Sequence, residues 1–189
     1  MISNEVQNKN LAIFFDKLEK VGIPTAKISE ELSNDLLVAP FTNLNDNGMA
    51  FEGSLLHIVL RTLTPYAIKI NDLLPDNLKV DTNSLIKVCL LSHLSKCKMF
   101  IPNDNTWEVT NRSMPYKFAP CDVSLRTGIK SIMLAQKMGI EFTDVEVDAM
   151  TILDRDADLQ AKYFSSTLAT IVRQAYELTL LQFKNQKNK

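Results

Sequence analysis

A chain of 189 residues, 46% hydrophobic and 23% charged, is long enough for one domain that buries roughly 70% of its unfolded surface, so its core needs no disulfide or metal staples. The formal net charge of −1 excludes a general attraction to nucleic acid, and no apolar run reaches the roughly 20 residues that span a bilayer. Three cysteines, Cys89, Cys97 and Cys121, lack CxxC spacing, and with only five glycines the chain reads as mainly helical with reduced thiols.

Met1 to Glu5 lacks the basic start and apolar core of a signal peptide, so a cytoplasmic protein without membrane contact is expected. Ser3 can cap a first helix carrying Leu11, Phe14, Phe15 and Leu18 on one stripe, ended by Gly22 and Pro24. Thr25 opens a second helix through Ile28, Leu32, Leu36 and Leu37 that stops before Pro40. Residues 1–40 thus form an N-terminal helical pair, and the polar loop Phe41 to Gly48 separates it from a second unit, residues 51–184.

From Phe51 a helical pattern runs to Leu74 with Pro65 inside it, where a kink or break is expected. Asp81 or Thr82 can cap a helix through Leu85 to Lys96 that is apolar on most sides and belongs at the centre of the core. Thr106 to Thr110 and Tyr116 to Phe118 alternate as the strands of a β-hairpin. Val123 to Met138 reads as a helix closed by Gly139, with Leu125, Ile129, Ile132, Met133 and Met138 inward. Thr143 and Glu146 form a capping box for a short helix to about Leu153. An Asp-rich loop leads to a last helix with the stripe Leu168, Ile171, Val172, Ala175, Leu178 and Phe183, and residues 185–189 are a solvated basic tail.

Leu90-Leu91-Ser92-His93, with Lys96 following, resembles the signature helix of the HD-domain metal-dependent phosphohydrolases, which reads Leu-Leu-His-Asp-Ile-Gly-Lys. Gly53-Ser54-Leu55-Leu56-His57-Ile58 is similar to that family's Gly-Gly-Leu-Leu-x-His segment, and Ala175-Tyr176 stands where the family has an Ala-Asp pair. The resemblance implies a mainly α, HD-like helical bundle with a small β-hairpin insertion. It also places the four metal-ligand positions at Ile58, Ser92, His93 and Tyr176. Serine is a poor ligand for a catalytic divalent ion, and a neutral imidazole cannot bridge two metals as a carboxylate does. His57 is one residue early, about 100° around the helix from the ligand position. The family's chemistry needs a metal-activated water. No catalytic residue, metal or cofactor is therefore expected, and the chain reads as a pseudoenzyme.

Several residues remain as candidates for binding. Lys96 matches the lysine that follows the family's motif and can meet a phosphate; its ordinary reading is a solvated lysine at a helix C-terminus. Arg126 and Lys130, at i and i+4, would border the old pocket. His57, His93 and Asp154 are the one set from which a metal site could be rebuilt, and Cys97 with His93 makes a Cys-His spacing that lacks an oxyanion hole. Asp154 to Asp158 opens like a calcium loop, but Leu159 and Ser165 replace its glycine and glutamate. Trp107 and Tyr116 are read as packing the hairpin onto the helices, with recognition as the alternative. The expected function is a non-catalytic interaction or assembly module, with a protein partner or self-association. The Asn- and Lys-rich composition suits a phage or mobile-element protein, in the host cytoplasm or the virion. The alternatives are a nucleotide-binding or nucleotide-sequestering protein using the remnant pocket, and a residual metal-dependent phosphohydrolase.

Overall fold

The computed structural model describes residues 2–45, 47–155 and 165–186. Ser3 accepts a hydrogen bond from the Val6 amide and starts α1 (Asn4–Lys20), which buries Phe14 and Leu18. The second helix, α2 (Ala26–Val38), buries Ile28, Leu32 and Leu36 at helical spacing and ends before Pro40. Both join the hydrophobic cluster that the later helices build.

The next stretch is one long helical run made of α3 (Ser54–Ile58), a π-helical segment (Val59–Leu63) and α4 (Thr64–Leu73). The helix does not break at Pro65; the disturbance expected there takes the form of the π-helical segment just before it. Proline has no N–H to donate and its ring strikes the carbonyl one turn back, and the wider π turn relieves both conflicts. The Thr64 amide accordingly reaches back five residues to the Val59 carbonyl.

Asp81 accepts from the Ser84 amide at 2.8 Å and caps α5 (Thr82–Leu91), whose Leu85, Val88, Cys89 and Leu91 are fully buried. The helix ends at Leu91 rather than continuing to Lys96. The Ser95 amide is taken by Ser131 Oγ at 3.0 Å, and the Lys96 amide bonds the His93 carbonyl at 3.0 Å. The chain therefore tightens into a 3-10 turn, Leu94–Lys98, and Ser92 and His93 lie at the bend.

The hairpin is built differently from the expectation. Its strands are β1 (Phe100–Pro102) and β2 (Tyr116–Phe118), antiparallel, with Phe100 opposite Phe118 and Pro102 opposite Tyr116. Thr106–Asn111 is a short helix, α6, because Asn105 Oδ1 accepts from the Trp107 and Glu108 amides. Asn103 Nδ2 ties that turn to Glu108 and to the Met114 carbonyl, both at 3.0 Å. Trp107 does not pack the hairpin onto the helices; it is 57% exposed, with the Arg112 guanidinium over its ring.

The helix expected from Val123 begins later, as α7 (Thr127–Lys137); of its expected inward residues Ile132 and Met138 are buried, and Leu125, Ile129 and Met133 are not. Gly128, Ser131 and Ala135 face inward with Ile132. Close approach explains the difference: a Cβ on Gly128 would lie 2.3 Å from the Met150 carbonyl oxygen. At that point of contact only glycine fits. The capping box at Thr143 and Glu146 opens α8 (Asp144–Thr151), which passes into the 3-10 turn Ile152–Asp154.

The last helix, α9 (Thr167–Gln186), packs on α4 and α8 and buries Leu168, Ile171, Val172 and Ala175, with Leu178 exposed. The result is mainly α with one small two-stranded sheet. Among the described residues no helix is long and apolar enough to cross a membrane. The calcium-like segment from Asp156 to Leu159 and the last three residues of the basic tail lie outside the described residues.

Candidate functional site

Three of the four positions singled out in the sequence meet around one small cavity. The bend after α5 supplies Ser92 and His93, the following turn supplies Lys96, and α9 supplies Tyr176. Gly128 at the start of α7 and Asp154 after α8 close the far wall. The cavity holds about 90 Å³. Ile58, the fourth position, is fully buried in the core and is not among its walls. Nor is His57, which lies half-buried beside Phe51 with no hydrogen-bond partner for Nδ1. Burial and the Arg61 charge lower the His57 pKa.

The ring of Phe41 packs against His93, Tyr176 and Lys96 beside this cavity. Its centroid lies 5.0 Å from His93 and 6.3 Å from Tyr176, and His93 stacks on Tyr176 at 5.5 Å. The Lys96 ammonium sits 3.8 Å from the Phe41 ring centre and donates to the Phe41 carbonyl at 2.8 Å. Phe41 is itself held by Ser54, whose Oγ accepts from the Phe41 amide at 2.8 Å and donates to the Met49 carbonyl at 2.7 Å. The Gly53-Ser54 pair thus positions an aromatic plug.

Nothing local signals this plug beyond one bulky apolar residue just after Pro40. A stronger signal existed for the far wall. Glycine inside a helix is unfavourable by about 1 kcal/mol against alanine, so Gly128 marks a close approach. Its amide donates to Asp154 Oδ2 at 2.6 Å. Gly128→Ala is expected to lose about 1–3 kcal/mol of stability by overpacking, measured by urea unfolding.

Burial and the neighbouring Lys96 charge hold the His93 pKa well below its usual value, so its ring is neutral, with Nδ1 2.9 Å from Ser92 Oγ. Burial also lowers the Lys96 pKa to about 7, against a smaller opposing pull from Asp154. Lys96 is therefore not the solvated lysine of the sequence reading. Asp154 moves the other way: burial raises its pKa against the Gly128 amide and the Arg126 charge.

The donor set does not fit a divalent ion. It offers one neutral imidazole already paired to a hydroxyl, an ammonium, a phenol and one carboxylate turned onto a backbone amide. Among the described residues no three His, Cys, Asp or Glu side chains are placed to hold a metal, so His57, His93 and Asp154 do not assemble into one. Arg126 and Lys130 line a separate, larger groove of about 510 Å³, which shares Thr127 and Asp154 with the small cavity.

The lowered Lys96 pKa has a readable sign. Between a folded pKa of about 7 and an unfolded value of about 10.4, the unfolded chain binds more protons, so stability rises with pH. Above about pH 8.5 unfolded thiols ionise while buried Cys89, raised to about 12, does not, which opposes the trend. From pH 7 to 8.5 the native protein is expected to gain about 1–2 kcal/mol relative to Lys96→Met. Parallel slopes in a urea series would refute it.

Comparison with known proteins gives no match: no family model, no curated protein and no solved structure is significantly similar to the chain.

Proposed function

We propose that the chain is a non-catalytic derivative of the HD fold that acts as a protein interaction or assembly module. What supports this reading is that His93 and Tyr176, two of the positions the resemblance marks as metal ligands, stack on each other beside Phe41, with Lys96 drawn onto the Phe41 carbonyl. An aromatic plug stabilises a scaffold and leaves no room for a phosphoester beside a metal-bound water. Exposed apolar groups lie elsewhere, at Trp107, Phe118, Val123, Leu125, Ile129 and Met133. Phe118 and Leu125 among them line one groove, and contiguous exposed apolar surface is a mark of protein contact. The same reading suits a virion-associated component.

A nucleotide held jointly by Lys96, Arg126 and Lys130 has less support. The small cavity lies far below the roughly 300–1,000 Å³ that ligand sites of that size need. Arg126 and Lys130 belong to the other groove.

The test is turnover of bis(p-nitrophenyl) phosphate and of mono-, di- and cyclic nucleotides with manganese, cobalt, nickel or zinc. The expected result is no hydrolysis above the protein-free rate. Metal-dependent hydrolysis that disappears in His93→Ala would overturn the reading. So would a strictly monomeric protein that copurifies with nothing from its native source.

A further inference from the structure

Resting on that reading, we propose that the exposed face of α7, together with the groove at its N-terminal end, docks an acidic amphipathic helix of a partner protein. Ile129 and Met133, one turn apart on α7, are 41% and 46% exposed, and Leu125, just before the helix, is 37% exposed. The inward face of α7 is already complete with Gly128, Ser131, Ile132 and Ala135. The helix is therefore apolar on two sides, and among the described residues only one of them is buried. Phe118 shares the groove wall with Leu125, so the apolar surface continues from the helix into the groove.

Charge selects the partner. The ionisable groups of α7 and its capping residue are all basic: Arg126, Lys130 and Lys137. Lys27 joins them by donating to the Lys137 carbonyl at 2.6 Å. Among the described residues no carboxylate pairs with Lys130 or Lys137, and the polar neighbour of the Lys130 ammonium is Cys121 Sγ at 4.0 Å. Asp154 is turned onto the Gly128 amide and Arg126 donates to the Asp154 carbonyl, so the charges that would meet a partner are those of Lys130 and Lys137. Asp122 is exposed in the loop before α7. In a chain of net charge −1 this basic frame is local.

A second copy is a poor occupant. Two α7 helices crossing antiparallel about a two-fold axis would set Arg126 and Lys130 of each against Lys137 of the other. A bilayer suits the face less than a helix does, because more than half of each apolar side chain in the stripe is already covered. Anchors at i and i+4 or i+7, flanked by carboxylates, match both the stripe and its frame. The groove, about 510 Å³, is large enough for one bulky anchor.

The experiment is selection of a yeast-displayed library of random 16-residue peptides on the full-length protein, followed by fluorescence anisotropy of the enriched peptides. Enriched sequences are expected to carry apolar residues at i and i+3 or i+4 flanked by Asp or Glu. Ile129→Glu and Met133→Glu, both surface changes, are expected to weaken binding by about tenfold or more with unchanged circular dichroism. Lys130→Glu with Lys137→Glu should shift preference to lysine-flanked versions of the same peptides. The proposal is overturned by no enrichment, by enrichment without acids, or by self-association or phosphatidylserine-vesicle binding that Ile129→Glu abolishes. Binders indifferent to Ile129→Glu would sink this face and leave the interaction reading intact. Metal-dependent phosphohydrolase turnover would sink that reading itself.

Discussion

Phe41→Ala is expected to lower the unfolding free energy by about 3–5 kcal/mol, the range for truncating a buried phenylalanine. Phe41 is 1% exposed and belongs to the main hydrophobic cluster. The effect should sit at the high end, because the ring is the common contact of His93, Tyr176 and the Lys96 ammonium. Removing it leaves a void against the Lys96 side chain, and water entering there rehydrates the ammonium. The Lys96 pKa then returns toward the usual lysine value, and the rise in stability between pH 7 and 8.5 disappears with it. Phe41→Leu keeps much of the volume and should lose about 1 kcal/mol. Urea unfolding of the three proteins across that pH window reads both effects together. An alanine variant that loses less than about 1 kcal/mol and keeps the slope would show that Phe41 is not the plug.

The parts of this arrangement that local chemistry announces were legible in the chain. Ser3, Asp81 and the Thr143-Glu146 box begin helices in the sequence and in the structure, because a cap satisfies amides only a few residues away. The misreadings have a different origin. Along α7 Ile132 and Met138 point inward as their spacing implies, but Ile129 and Met133 do not, since Gly128, Ser131 and Ala135 take the rest of the inward face where the chain approaches Met150 closely. At Thr106 an alternating pattern yields to helix because Asn105 offers its side chain to two amides. α5 stops short because Ser131, from a helix 36 residues away in sequence, claims the Ser95 amide. Ser92, His93 and Tyr176 could be named in advance from their resemblance to a motif. Their enclosure by Phe41, Gly128 and Asp154 could not, since each contact closes over a long stretch of chain.

The wall opposite Phe41 depends on a polar stitch between α5 and α8, and Glu146→Ala is expected to loosen it by about 3–4 kcal/mol. Glu146 is 3% exposed. Its carboxylate accepts from Lys87 at 2.8 Å and from Ser84 Oγ at 2.9 Å, both on α5, and from the Thr143 amide at 3.0 Å. Burial pushes its pKa up, but the Lys87, Thr143 and Ser84 hydrogen bonds outweigh that and hold it below the usual range. A folded pKa below the unfolded one gives stability that is present above the unfolded value, about 4.3, and is lost as pH falls through the folded value. The alanine variant should lack this acid-side loss and be destabilised at neutral pH. Lys87 keeps the Glu141 carbonyl at 2.7 Å and the Phe142 ring, which holds the effect below the top of the range for broken buried pairs. Glu146→Gln retains the shape and most hydrogen bonds, and should lose about 1–2 kcal/mol. Because α8 leads directly into the turn bearing Asp154, amide exchange at Gly128 should quicken in the alanine variant before the protein unfolds globally. Unchanged exchange at Gly128 alongside the full stability loss would show that the stitch supports the fold without setting the cavity wall.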